Sequence, residues 1–263
     1  MTKTIDFTAN NLKPLSDWLK KFLLIEKSLL LEVDEENKCF IAKSYNEEKS
    51  VVKYSKISFL DAGLTLKKSS TDKLVKIGIY AIQRLMKSFE HFSQGDFQLS
   101  IQYDDLVEND SYVGLAILLK GPSVKVKIDC TSLGIFKYIS NDLFFNTIAN
   151  TQIVTKFELS PELIEKINSL CELDKEYKFI EWVVKNNKVY LRGKSFELEL
   201  AENGPENFIL SIYKEQFSKI DYDSYTVELG EEKLIYRSKN NDTVTVNSMV
   251  VKDDKYEESS LDF

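Results

Sequence analysis

The residues able to do covalent or metal chemistry are few and scattered. A single histidine, His91, is too little for histidine-dependent acid–base catalysis. Gly193-Lys194-Ser195 has the ending of a phosphate loop. However, Lys188 stands where the loop needs its first glycine, and the segment reads as strand rather than as a strand-to-helix turn. The carboxylates of YDDLVEND and KIDYDSY could face a divalent cation, but nothing in the sequence fixes their geometry, and they read as turn solvation. Cys39, Cys130 and Cys171 are odd in number and far apart, which predicts reduced core thiols in a cytoplasmic protein. The expectation is therefore no catalytic residue, no metal and no cofactor.

What remains is positive charge at helical spacing. Residues on a helix fall about 100° apart. In Lys73 to Phe92, read as one long helix, Lys73, Lys76, Tyr80, Arg84 and Lys87 fall in one stripe. Leu74, Ile77, Ile82, Leu85, Met86 and Phe89 lie elsewhere and would face a core. An earlier helix places Lys13, Lys20 and Lys21 on one side and Leu12, Leu15, Leu19, Phe22 and Leu23 on the other. Lys166, Lys214 and Lys219 continue the pattern more weakly in two later helices. Solvation of an outer face accounts for lysines on any one helix. The stripes are more telling because the chain as a whole carries a net charge of −7 and its acidic residues gather in strands and turns. That net charge argues against a protein that holds nucleic acid by bulk charge.

The elements that must position these lysines recur along the chain. Its 263 residues suit two domains of ordinary size, and the composition is that of a globular protein. No signal peptide is read at the start, and the charges within Leu74 to Phe92 argue against a membrane span there. From Ile5, IDFTANNLKPLSDWLKKFLLI precedes a run of strands; from Thr155, TKFELSPELIEKINSLCEL does the same, with Phe7 matching Phe157. Asn10 or Asn11 can cap the first helix, with Pro14 in its first turn; Ser160 caps the second, followed by Pro161. Hairpin turns are predicted at Glu36-Asn37 and Asn186-Asn187. A second helix and further strands complete each copy, the later helix being Lys214 to about Asp221. Two unrelated α+β domains are the alternative to a repeat.

This order of elements resembles the DNA polymerase sliding clamps, and in particular the two-domain clamps of T4-type bacteriophages; it is PCNA-like. The resemblance spans Ile5 to Phe263, although Thr65 to Ser70 and Cys130 to Asn150 find no match. It implies an α+β fold of two repeated clamp domains, with helices lining the inside of a ring and sheets outside. The expected divisions are 1–130, a connector 131–153, a second domain 154–252 and a tail 253–263. It also implies a non-enzymatic processivity factor that encircles double-stranded DNA without reading its sequence. Such a clamp tethers a DNA polymerase, is opened by a clamp loader, forms a homo-oligomer (a trimer for six units), works in the cytoplasm and does not engage a membrane. The DNA-facing residues would then be Lys13, Lys20, Lys21, Lys73, Lys76, Arg84, Lys87, Lys166, Lys214 and Lys219. Topology, rather than bulk charge, would hold such a ring on DNA.

Three further expectations follow from segments outside the helices. The connector DCTSLGIFKYISNDLFFNTIANTQIV is apolar. It packs across a seam, or, as the resemblance to the clamps implies, borders a partner-peptide groove with Leu133, Ile135, Phe136 and Tyr138, or does both. The acidic tail ending Leu261-Asp262-Phe263 either occupies such a groove or is a solvated end. SVKVKID carries Lys125 and Lys127 on one face, and SFELEL carries Glu197 and Glu199 on one face with Phe196 and Leu198 on the other. Both match clamp strands that pair across a subunit boundary. Two other functions compete with the clamp: a monomeric DNA-binding processivity subunit, which should be more basic, and a viral structural or assembly protein with no DNA role.

Overall fold

The computed structural model describes residues 3–68, 71, 73–92, 95–108, 110–136, 139–204 and 207–250. The chain divides into two compact units. The first holds residues 1–44 and 54–138; the second holds 45–53 and everything from 139 onward.

In the first unit, β1 (Lys3–Ala9) and α1 (Lys13–Leu23) lead into β2 (Leu29–Asp34), β3 (Cys39–Tyr45), β4 (Val51–Ser58), β5 (Leu64–Lys68) and β6 (Val75–Ile79). Then come α2 (Ile82–Glu90), β7 (Phe97–Glu108), β8 (Ser111–Lys120) and β9 (Lys125–Asp129). The unit boundary falls inside β4. The strands hydrogen-bond in the order β4-β3-β2-β6-β8-β7-β1-β5, and β9 pairs with β8. The 3₁₀ turn Leu133–Ile135 follows.

The second unit opens with α3 (Asn141–Ala149), then β10 (Ile153–Leu159), α4 (Pro161–Leu173), β11 (Phe179–Lys185), β12 (Asn187–Arg192), β13 (Glu197–Gly204) and β14 (Phe208–Tyr213). It closes with the one-turn α5 (Lys214–Phe217), β15 (Tyr225–Gly230), β16 (Lys233–Ser238) and β17 (Asp242–Ser248). Its strands form the runs β10-β15-β16-β17 and β13-β12-β11-β14. Setting α3 aside, strand, helix, strands, helix, strands describes both units, as the repeated pattern predicts.

Local chemistry explains several boundaries. The Lys13 backbone N–H donates to Asn11 Oδ1 at 2.8 Å, but the N-cap position of α1 is Leu12 and no side chain caps it, so neither Asn10 nor Asn11 is the expected cap; Pro14 occupies the first turn, where its missing N–H costs nothing. Ser160 Oγ accepts from the Leu163 N–H at 3.3 Å, with Pro161 behind it. Asn186 and Asn187 both take positive φ (50° and 64°) and close the β11–β12 hairpin as predicted. At the β2–β3 turn the left-handed residue is Lys38 (φ 52°), not Glu36 or Asn37; the Asn37 backbone and side chain instead donate to the Asp34 carboxylate.

Each unit has its own core. Phe7 packs against Phe40 and Phe59, with ring centroids 5.9 and 4.9 Å away, and α1 contributes Trp18 and Phe22. Phe157 takes the matching place on β10, 5.5 Å from the Trp182 ring. Burying one such large apolar side chain contributes roughly 1.5–3 kcal/mol. This explains why Phe7 and Phe157, 150 positions apart, recur at the same point of the pattern.

Two expectations are corrected. The long helix Lys73 to Phe92 does not form: Val75–Ile79 is a strand with all five residues buried, and helix begins only at Ile82. The connector, read without secondary structure, contains α3, capped by Ser140 Oγ accepting from the Leu143 N–H at 3.1 Å.

Candidate nucleic-acid interface and subunit edges

α1 and α2 pack beside each other in the first unit and turn their apolar faces inward. Leu15, Trp18, Leu19 and Phe22 of α1 are buried, as are Ile82, Leu85 and Phe89 of α2. On the outer side of α1, Lys13 and Lys20 are exposed and share Asp17, the second at 3.0 Å. The hydrogen bond from Lys13 holds the Asp17 carboxyl below the usual range, so part of this positive charge is neutralised within the helix. Lys21 is half-buried.

Arg84 and Lys87 on α2 are exposed, and among the described residues neither has a carboxylate partner. With His91 and with Lys127 of β9 they line an open recess of about 570 Å³ whose lining includes no acidic residue. This is the most one-sided charge arrangement on the first unit's helices.

Lys73 and Lys76 leave the stripe. Lys73 precedes β6 and pairs with Asp110 at 2.5 Å. Lys76 lies inside β6, only 4% exposed, opposite Glu32 of β2. Lys43 approaches Glu32 as well, at 3.7 Å, so the three form a buried charge group. The physical cause of the misreading is that Lys76 and Lys73 sit three apart, a helical interval, whereas Val75, Ile77 and Ile79 alternate at the strand interval.

In the second unit Lys166 is exposed on α4, beside Glu162 and Glu165. Lys214 Nζ turns inward and donates to the carbonyl oxygens of Cys171 (3.2 Å) and Asp174 (2.6 Å) at the end of α4. Desolvation at that place lowers its pKa. Lys219 pairs with Glu215 at 3.3 Å and is only partly exposed.

Two edge strands carry the predicted charge alternation. Among the described residues β9 hydrogen-bonds only to β8, and β13 only to β12. Lys125 and Lys127 are exposed, while Val126 and Ile128 pack partly into the first core. Lys127 pairs with Asp129 at 2.7 Å. On β13, Glu197 and Glu199 already have cations from their own unit, Lys185 at 3.0 Å and Lys188 at 2.8 Å. Leu198 is half-buried, and Phe196 is 7% exposed, its ring packed over Gly193. Phe196 is therefore a core residue of its own unit rather than part of an exposed edge.

The architecture has solved counterparts. A. fulgidus PCNA, bound to the C-terminal region of FEN-1, superposes with a TM-score of 0.61 at 12% identity over 95% of this chain and 99% of its own. PCNA of Entamoeba histolytica gives 0.64 at 13% identity, over 95% and 99%. The Helicobacter pylori beta clamp, bound to a DNA ligase peptide, gives 0.65 at 12% identity, over 94% of this chain and 66% of its own. The fold is that of the sliding clamps. No protein-family model matches the chain, and no curated protein matches it by sequence.

Within this clamp fold the connector residues differ in what they offer. Leu133 and Ile135 form the 3₁₀ turn, and Ile135 is 59% exposed. Phe136 is half-buried, with its ring against Gly78 of β6. A Cβ at Gly78 would lie 2.7 Å from that ring and 2.4 Å from the Thr131 carbonyl oxygen, so only glycine admits the connector here. Tyr138 and the tail ending in Phe263 lie outside the described residues. Leu143 and Phe145, which the sequence offers only as part of the apolar connector, are exposed on α3 (59% and 40%), a helix started by the Ser140 cap three residues before Leu143.

Proposed function

We infer that the chain is a DNA sliding clamp. It is a non-enzymatic ring of identical copies that encircles duplex DNA and tethers a DNA polymerase and other partners. The observation that carries this reading is the clamp fold in two copies per chain, spanning 99% of the length of the PCNA chains it resembles. A ring of six units then takes three copies. Arg84 and Lys87 on α2, with Lys13, Lys20 and Lys21 on α1, supply the first unit's phosphate contacts; these position the duplex without reading its bases. Lys166 is the second unit's most exposed candidate. The edges β9 and β13 close the ring by antiparallel pairing, which satisfies backbone groups that an open edge leaves exposed. In that pairing Lys125 and Lys127 meet Glu197 and Glu199, which exchange their partners within the chain for partners across the boundary.

The A. fulgidus PCNA is bound to a segment of FEN-1 and the Helicobacter beta clamp to a DNA ligase peptide. By analogy, Leu133, Ile135 and Phe136 border the place where partner peptides dock. The finer likeness to T4-type phage clamps rests on element order and on the acidic terminal segment.

Threading on linear DNA tests the reading without a loader. The protein is added to a linear duplex before or after both ends are blocked with biotin and streptavidin. A ring is trapped when the ends are blocked after addition and is excluded when they are blocked first. Equal binding in both orders would mean that charge, not topology, holds the DNA.

A further inference from the structure

A second recess lies wholly in the second unit, and neither ring closure nor duplex binding uses it. It is an open pocket of about 520 Å³ at the junction of the α4–β11 loop, the end of β14 and α5. Three aromatic rings run along it. Tyr213 stacks on Phe179 with centroids 5.0 Å apart and planes 25° apart, and Tyr177 meets Phe179 edge-on at 6.0 Å. Phe179 is buried, whereas Tyr213 remains 38% exposed.

Four lysines surround these rings: Lys175, Lys178, Lys214 and Lys219. Lys214 Nζ is fixed by the two carbonyls at the end of α4 and lies 5.9 Å from the Tyr177 ring centroid. Lys175 and Lys178 are exposed. The only carboxylates in the lining are Glu48 and Glu215. Glu48 accepts from Asn46 Nδ2 at 2.9 Å, and Glu215 is already paired with Lys219. The pocket therefore has a net positive lining beside a π surface, in a chain of net charge −7.

We propose that this pocket binds a nucleoside phosphate, with the base on Tyr213 and the phosphate between Lys175 and Lys178. Base–aromatic stacking next to a cationic track is the general chemistry by which proteins hold unpaired nucleotides. The volume falls within the range of small-molecule sites, about 300–1,000 Å³. A base paired within a duplex cannot present its face to Tyr213, so the site is selective for a free nucleotide or an unpaired strand end. The proposal goes beyond the clamp reading, since a single copy of the chain is sufficient for it.

The test is calorimetric titration of the full chain with deoxyadenosine monophosphate, deoxyadenosine and inorganic phosphate. The nucleotide should bind at least about tenfold more tightly than either half alone. Tyr213→Leu, which keeps apolar volume but removes the π face, and Lys178→Glu should each weaken nucleotide binding by about tenfold or more. Lys120→Glu, on the first unit, should change nothing, and thermal melts should show all three variants folded. A 5′-phosphorylated oligothymidylate that binds more tightly than the free nucleotide assigns the site to strand ends; equal affinity assigns it to free nucleotides. Phosphate binding as tightly as the nucleotide, or an affinity insensitive to Tyr213→Leu in a folded variant, would overturn the proposal. So would an equal loss on a blunt duplex. Because these outcomes are read on a single copy, they stand apart from the fate of the ring.

Discussion

On α1 and α2 of the first unit, Lys13, Lys20, Lys21, Arg84 and Lys87 stand against two carboxylates, Asp17 and Glu90. On α4 of the second unit, Lys166 stands alone against Glu162, Glu165 and Glu172. Lys214 and Lys219 do not offset this, because they are bonded within their own unit. The two units therefore share a fold but not an outer helix face. Burial dictates the repeated positions, such as Phe7 and Phe157, because a core tolerates little change in volume. No comparable constraint acts on an exposed helix face. In the clamp reading, attraction for DNA is concentrated on the first unit, and the second guides the duplex more by shape than by charge.

The units also bury charge differently, which gives the largest expected effect. The second unit holds Lys53, fully buried, 2.9 Å from Asp221. The first distributes Glu32 between Lys43 and the adjacent Lys76. Lys53→Met should cost about 3–5 kcal/mol, because it strands a largely buried carboxylate. Lys43→Met should cost less, since Lys76 remains opposite Glu32. Equal losses in urea melts would break the contrast between the two charge groups.

At the edges, Lys125→Glu with Lys127→Glu should dissociate the proposed ring, and Glu197→Lys with Glu199→Lys should restore it. Each cross-strand pair contributes roughly 0.2–1 kcal/mol, and reversal converts attraction to repulsion. Sedimentation of the reversed protein as an unchanged oligomer would remove these strands from the boundary.

The helix faces should separate more gently. Arg84→Glu with Lys87→Glu should weaken duplex binding and lower its salt slope by about one unit per lost phosphate contact. Lys166→Glu should do less, and Glu165→Lys should strengthen binding. A loss as large for Lys166→Glu as for the α2 pair would mean that both units contribute alike.

The smallest effect concerns the β2–β3 turn. Both Glu35 carboxylate oxygens are shielded without a hydrogen-bond partner, and desolvation raises its pKa to about 7. The folded chain thus keeps this proton at a pH where the unfolded chain has lost it. The stability gained is fully present below the unfolded value and is lost as pH rises through 7. Glu35→Gln should flatten that fall by less than about 1 kcal/mol, since the side chain is partly solvated. An unchanged pH profile of the melting temperature would contradict this account of Glu35.

The repeat was legible because its signals are local: the Ser160-Pro161 helix start, Pro14 in the first turn of α1, the Asn186-Asn187 turn, and the aromatic residue of each first strand. Other features depended on contacts distant in sequence. Val75–Ile79 is a strand because Leu29–Val33 and the start of β8 flank it, and Lys76 tolerates burial because Glu32 lies opposite. Residues 45–53 group with the second unit although they follow β3 of the first in sequence. Of the expected interface, the exposed lysines of β9 could be read from alternation alone, but not the burial of Phe196, which depends on the absence of a side chain at Gly193.

The central claim is that copies of this chain close into a ring, and the mass in solution tests it most directly. Light scattering on the purified full chain should return about three times 30.4 kDa, or about 91 kDa, and the value should fall to one copy in the Lys125→Glu, Lys127→Glu protein. A wild-type chain that scatters as a single copy across the concentration range would contradict the account.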